Sequence, residues 1–201
     1  TAGVGCGRLE KKGGESMRVS KEPAERRQEI LDTAMRLFWE KGYEKTSIAD
    51  IAQAIGVAQG LCYRYFSSKE DLLEAGLEQY AHHLVQKMLP EDAGDQTLKE
   101  QIMALSFFAE DEQDDYYALF HQTGNPKIHD QLAMRVCTEA LPLVTDRLRR
   151  AQASGEIQLP DVEAAASFCV YGQLGILLRA DWPQAQRSQK IQAFLCYMLK
   201  L

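Results

Sequence analysis

Two short helical patterns meet at a glycine in residues 46–66, TSIADIAQAIGVAQGLCYRYF. Ile48, Ile51, Ala52 and Ile55 supply one apolar side, and Ser47-x-x-Asp50 ahead of them has the form of a capping box with Asp in place of Glu. Gly56 then permits a turn conformation that is costly to other residues. A further short helix is expected from about Ala58 to Tyr65, broken by Ser67-Ser68. Two short helices joined by so tight a turn form a helix-turn-helix.

The flanks extend the pattern. Pro23 opens a helix with Ile30, Leu31, Ala34, Leu37 and Phe38 on one face, closed at Lys41-Gly42. Ser68 can cap a long helix from Lys69 to about Met88, burying Leu72, Leu73, Leu77, Tyr80 and Leu84. Residues 89–96 read as a loop. About five more helices follow, separated at 110–115, 123–126, 154–161 and 180–184, with Pro142 expected to kink or break its helix. No period-2 strand pattern occurs. The expected fold is all-α, about nine helices: an N-terminal three-helix unit at 23–68 and a helical body at 69–201. Residues 1–22 form an arm, of which 1–16 are read as an expression remnant or a loose extension before Met17.

Charge separates the same two regions. The 201-residue chain carries a formal charge of −6. Residues 17–69 hold nine Lys/Arg against seven Asp/Glu, whereas residues 70–201 hold eleven against twenty. A mildly basic head on an acidic body fits a protein that puts one end on a polyanion. The five cysteines are widely spaced without a C-x-x-C, which suggests neither a disulfide framework nor a zinc site and fits a reducing cytoplasm. No apolar run is long enough for a membrane span, so no membrane partner is expected.

In a helix-turn-helix the second helix enters the major groove. Gln59, Gly60, Leu61, Tyr63, Arg64 and Tyr65 are expected to face outward, with Ile51, Val57 and Cys62 toward the core. Gln59 can pair bidentately with adenine, and Arg64 can reach guanine or phosphate. Gly60 lets the backbone come close. Tyr63, Tyr65 and Lys69 offer phosphate contacts. The alternative is a plain helical hairpin whose tyrosines fill a core.

Residues 26–80 resemble the DNA-binding domain of the TetR family of bacterial transcriptional repressors. The resemblance rests on Ile30, Ala34, Phe38, Gly42-Tyr43, Thr46-Ser47, Ile51-Ala52, Gly56-Val57, Gly60, Tyr63, Phe66, Lys69-Glu70 and Leu72-Leu73. It implies DNA contacts that include Thr46 and Ser47. Ala58 and Leu61 depart from the family, which often has Ser and Thr there. The resemblance also implies a C-terminal part that binds a small-molecule effector and forms a homodimer on a near-palindromic duplex operator.

Met103, Phe107, Phe108, Tyr116, Tyr117, Phe120, His121, Met134 and Phe168 are candidates to line an apolar effector pocket, or else ordinary core. Glu139 or Asp115 nearby would suit a cationic ligand. The small-residue segment 162–180, with 188–201, is read as a four-helix dimer seam through Ala165, Phe168, Gly172, Gly175, Ile176, Phe194 and Met198. Alternatively both helices are buried within one subunit. No cofactor or metal is expected: His82, His83, His121 and His129 show no ligand spacing. Nucleophile-elbow, phosphate-loop and dinucleotide motifs are missing, so no catalytic residue is nominated. The expected function is a ligand-responsive repressor, the alternative a helical small-molecule or partner-binding protein without DNA binding.

Overall fold

The computed structural model describes residues 21–90, 96–105, 116, 120, 126–179 and 181–201. The expectations for residues 1–20 therefore lie outside the described residues. Among those described the elements are all helical: α1 Pro23–Lys41, α2 Ile48–Ala54, α3 Gln59–Tyr63, α4 Lys69–Met88, α5 Leu98–Ala104, α6 Pro126–Ala153, α7 Val162–Tyr171, α8 Leu174–Leu177 and α9 Gln184–Leu199.

Local chemistry sets the first four helices. Pro23 occupies the first turn of α1, where its missing N–H costs nothing, and Gly42 follows the last residue at φ +89°. The capping box of α2 forms: the Asp50 N–H donates to Ser47 Oγ, and the Ser47 N–H donates to Asp50 Oδ2 at 2.9 Å. The Ser47 hydroxyl, which also donates to Asp50 Oδ2, and then the Ser47 N–H hold the Asp50 carboxyl below its ordinary range. Gly56 turns at φ +70°, which a side chain would resist. α3 is shorter than the sequence pattern predicts. Ala58 at its N-cap makes no side-chain bond, and the chain leaves after Tyr63. Ser67, whose N–H donates to Asp71 Oδ2, and Ser68, which accepts from the Asp71 N–H, already belong to the start of α4.

α4 joins the two regions. Twenty residues span ~30 Å. Its first half packs on α1, where Gly76 leaves room for the Met35 thioether. Its second half packs on α6. One core runs from Ile30, Phe38, Cys62 and Phe66 through Leu72 and Tyr80 to Phe120 and Leu132. A second core gathers Leu98, Leu148, Ala166, Ile191 and Leu195 from α5, α6, α7 and α9. α5 begins with another capping box, Thr97 with Glu100, and its Leu98 N–H donates to Glu156 Oε1 at 2.7 Å, across from the turn at Gly155.

Two expectations are revised. Of the kink or break expected at Pro142, the break does not occur: α6 runs from Pro126 to Ala153. Burial of Cys137, Ala140 and Leu148 on both sides compensates for the lost backbone bond. Segment 162–180 is two helices rather than one: α7 stops at Tyr171, and only the four-residue α8 follows. Gly172 and Gly175 each weaken a helix by about 1 kcal/mol relative to Ala.

Candidate nucleic-acid interface, apolar cavity and exposed seam

α3 is anchored by two side chains. Cys62 and Phe66 are buried, and the Arg27 guanidinium lies over the Phe66 ring at 4.7 Å. Anchoring there turns the opposite face outward: Gln59, Gly60 and Arg64 are exposed, and Tyr63 is 50% exposed. A Cβ on Gly60 would meet nothing within 4 Å, so no neighbour in the protein demands a glycine there. Leu61 is half-buried. Tyr65, expected outward, is also half-buried and packs against the core.

Thr46 differs from expectation, and Lys69, half-buried, is held against the protein on one side. Thr46 is 2% exposed, and its hydroxyl hydrogen-bonds Leu37 O at 3.1 Å and Gly42 O at 3.0 Å. It closes the α1–α2 connection instead of facing a partner. Lys69 Nζ donates to Tyr43 O at 2.9 Å and lies 4.3 Å from the Tyr43 ring centroid. Burial, with Glu70 and Glu44 nearby, pushes Tyr43 up to about 12, so its hydroxyl stays protonated and donates to Glu70 Oε1. Ser47 is exposed, but its hydroxyl is engaged with Asp50.

Thr46→Val should therefore cost about 1–3 kcal/mol of stability in urea unfolding, because a buried bonded hydroxyl is lost from two carbonyls. A Thr46 that touched DNA would instead lose affinity at unchanged stability.

The nine pocket candidates do not converge. Phe107, Phe108, Tyr117 and His121 lie outside the described residues, as does Asp115. Tyr116 and Phe120 are buried beside Tyr80, with ring centroids 6.3 and 5.3 Å from it, and the Tyr116 hydroxyl donates to Asp32 Oδ1. Met103, Met134 and Phe168 are exposed. Glu139 is paired at 2.6 Å with His82 Nδ1 on the surface.

A cavity of about 70 Å³ forms elsewhere, between the end of α4 and helices α5, α6, α7 and α9. Its walls include Met88, Ile102, Val144, Leu148, Val170 and Leu195, with Gln101, Arg147 and Gln173 as the polar groups. Burial pushes the Cys169 thiol on its wall up to about 11, so it stays protonated at neutral pH. The sequence signal for these residues is only the apolar stripe of each helix, which any core shows. Ligand pockets usually offer ~300–1,000 Å³. An occupant of that size would have to part the walls.

The seam candidates do converge. Phe168, Gly172, Ile176, Phe194 and Met198 line one surface groove of about 390 Å³ between α7, α8 and α9. Gly175 is exposed beside them and Ala165 is half-buried. Phe168 is 71%, Phe194 55% and Tyr197 80% exposed.

Comparison with known proteins separates the two regions again. Residues 30–75 match the family model described as bacterial regulatory proteins, tetR family. The HTH-type transcriptional repressor ComR of Escherichia coli K12 is 36% identical over 85 residues, 40% of each chain. The chain thus spans well under two thirds of the length of such curated relatives. Solved structures cover more. GusR of Salmonella enterica superposes with a TM-score of 0.61 at 24% identity, over 90% of this chain and 98% of that one. The regulator FadR from Bacillus subtilis, solved with stearoyl-CoA, gives 0.54 at 21% over 84% and 96%. At these identities the likeness concerns the fold. Among the described residues, no helix is long and apolar enough to cross a membrane.

Proposed function

We infer that this chain, which carries the DNA-binding domain of the tetR family, is a ligand-responsive, sequence-specific DNA-binding transcriptional regulator. The observation that carries the reading is the outward face of α3. Gln59, Gly60, Tyr63 and Arg64 stand free on a helix whose other face is locked by Cys62 and Phe66. Gln59 reads a base edge, Arg64 reaches guanine or phosphate, and Tyr63 bonds a phosphate. Gly60 lets the backbone approach the duplex, and Leu61 supplies an apolar contact. Tyr65 and Thr46 support this face from behind, Lys69 braces the Tyr43 loop while offering its remaining donors to phosphate, and Ser47 caps α2.

The repressor sense follows ComR, a transcriptional repressor by name. A two-fold dimer through α7 and α9 presents two α3 helices to successive major grooves, about 34 Å apart, and so selects a near-palindromic operator. The head (23–68) and body (69–201) then act as separate functional units joined by α4. A small apolar or amphipathic effector enters the cavity and favours a dimer with the wrong spacing, since only differential affinity can shift such an equilibrium. FadR from Bacillus subtilis, similar in fold, was solved in complex with stearoyl-CoA. Operator DNA puts the working site in the cytoplasm.

Gel shifts on duplexes from upstream of the chain's own coding region test the reading, and failure to retard any of them sinks it. Selection from randomised duplexes tests α3 itself. Gln59→Ala should relax one base position in each half-site, a loss of about 1–3 kcal/mol of discrimination. An unchanged preferred site would remove Gln59 from the readout.

A further inference from the structure

The cavity has one charged wall residue, and its position is unusual. Arg147, Arg149 and Arg150 lie within four residues of α6. Arg149 pairs with Glu163, and Arg150 pairs with Asp146. Arg147 is half-buried on the cavity wall, and among the described residues no carboxylate pairs with it. Its Nη2 donates to Pro90 O at 2.5 Å and its Nη1 to Gln101 Oε1 at 3.2 Å, both neutral acceptors. Burial, and then Arg150, lower its pKa from the ordinary arginine value, consistent with a cation that has lost water without gaining an anion. Twelve of the fifteen wall residues are apolar.

We propose that the effector is an amphipathic monocarboxylate, its carboxylate held by Arg147 and its apolar body lying among Ile102, Val144, Leu148 and Leu195. This rests on the reading of the cavity as the effector site and names its ligand class. A guanidinium offers five N–H donors in a planar fork that matches a carboxylate bidentately, so donors remain beyond the two bonds described. A charge-assisted pair of this kind is about twice as strong as a neutral hydrogen bond. The suggestion of a cationic ligand at Glu139 or Asp115 does not bear on this cavity: Glu139 is engaged with His82, Asp115 lies outside the described residues, and the charge on the cavity wall is positive. The same arrangement couples ligand to α4. Pro90 directly follows Leu89, the C-cap of α4, so a carboxylate arriving at Arg147 binds the same group that holds this end of the helix.

Titration calorimetry on the full chain at neutral pH, with octanoate, octan-1-ol and octylammonium, tests the assignment. Octanoate should bind at least about tenfold tighter than octanol, and octylammonium should bind weakest. Arg147→Met should lose at least about tenfold for octanoate while octanol changes little. Octanoate binding no tighter than octanol, no binding by any of the three, or a folded Arg147→Met with unchanged octanoate affinity would each overturn the proposal. If Arg147→Met does not fold, the wild-type series decides alone. These titrations use no DNA. Octanoate that binds through Arg147 yet leaves gel shifts unchanged would refute the release mechanism and still support the carboxylate site. A chain that binds octanoate but no duplex would refute only the DNA reading.

Discussion

Phe168→Glu combined with Phe194→Glu is expected to turn a dimer into monomers at micromolar concentration in sedimentation. Both rings are mostly exposed in the isolated chain, at 71% and 55%, on the rim of the groove between α7 and α9. Burying each against a second copy would contribute about 1.5–3 kcal/mol per ring, and a two-fold seam uses each ring twice. A glutamate in the same place would have to lose its water, at a cost of several kcal/mol per charge. The protomer itself should barely notice, because neither ring fills the core. Helicity should be kept, and only the concentration-dependent part of thermal stability should fall. Gly175→Glu should act in the same direction: a Cβ there meets nothing within 4 Å, so the added side chain would be felt only by a partner. A double variant that still sediments as a dimer would move the seam elsewhere. A wild-type chain that is monomeric at that concentration would remove it.

Phe66→Ala should cost about 3–5 kcal/mol, the usual range for emptying a buried phenylalanine site. Phe66 is 1% exposed, beneath α3 and alongside Cys62, with Arg27 across its ring. Its removal loosens α3, a five-residue helix that has no side-chain cap of its own and depends on packing for its position. DNA binding should therefore fall together with stability, in contrast to Gln59→Ala, which should change readout alone. The core containing Phe66 continues across α4 to Tyr80, Phe120 and Leu132. The loss should thus appear as a downward shift of one cooperative transition. A cost below about 1 kcal/mol would contradict the packing described for α3. A separate early transition, with the main one unmoved, would show that the head unfolds independently of the body.

What the chain itself determines is mostly local. Pro23, Gly42, the Ser47/Asp50 box, Gly56 and Ser68 constrain φ or satisfy helix-end N–H groups within four residues of themselves. Helix starts and stops from α1 to α4 were therefore legible from spacing alone, apart from the early exit of α3. The residues of the exposed groove between α7, α8 and α9 were legible too, since small residues beside large apolar ones at helical spacing make a face that either meets another helix in the chain or meets a second copy. Which of those two applies is a tertiary matter. Phe168 looked equally fit for a pocket and a seam, and only the packing of α7 on α6 turns it outward.

Tertiary structure alone decided the rest. Thr46 carries a hydroxyl suited to phosphate, but Leu37 O and Gly42 O lie within its reach and bury it. Lys69 is a phosphate-type cation in sequence, and only the fold brings the loop carbonyl of Tyr43 to 2.9 Å from its ammonium and so fixes where that cation sits. Pro142 would end an isolated helix, yet α6 continues because its flanks are held in two cores. Arg147 is indistinguishable in sequence from Arg149 and Arg150. The difference is that carboxylates 14 residues ahead and four behind meet the outer two, while the inner one faces a cavity whose walls come from residues as far apart as 88 and 199. Hydrogen bonds and dihedral limits act over a few residues and so leave a mark in the sequence. Burial and cavity charge are sums over segments distant along the chain, and they exist only once those segments have packed.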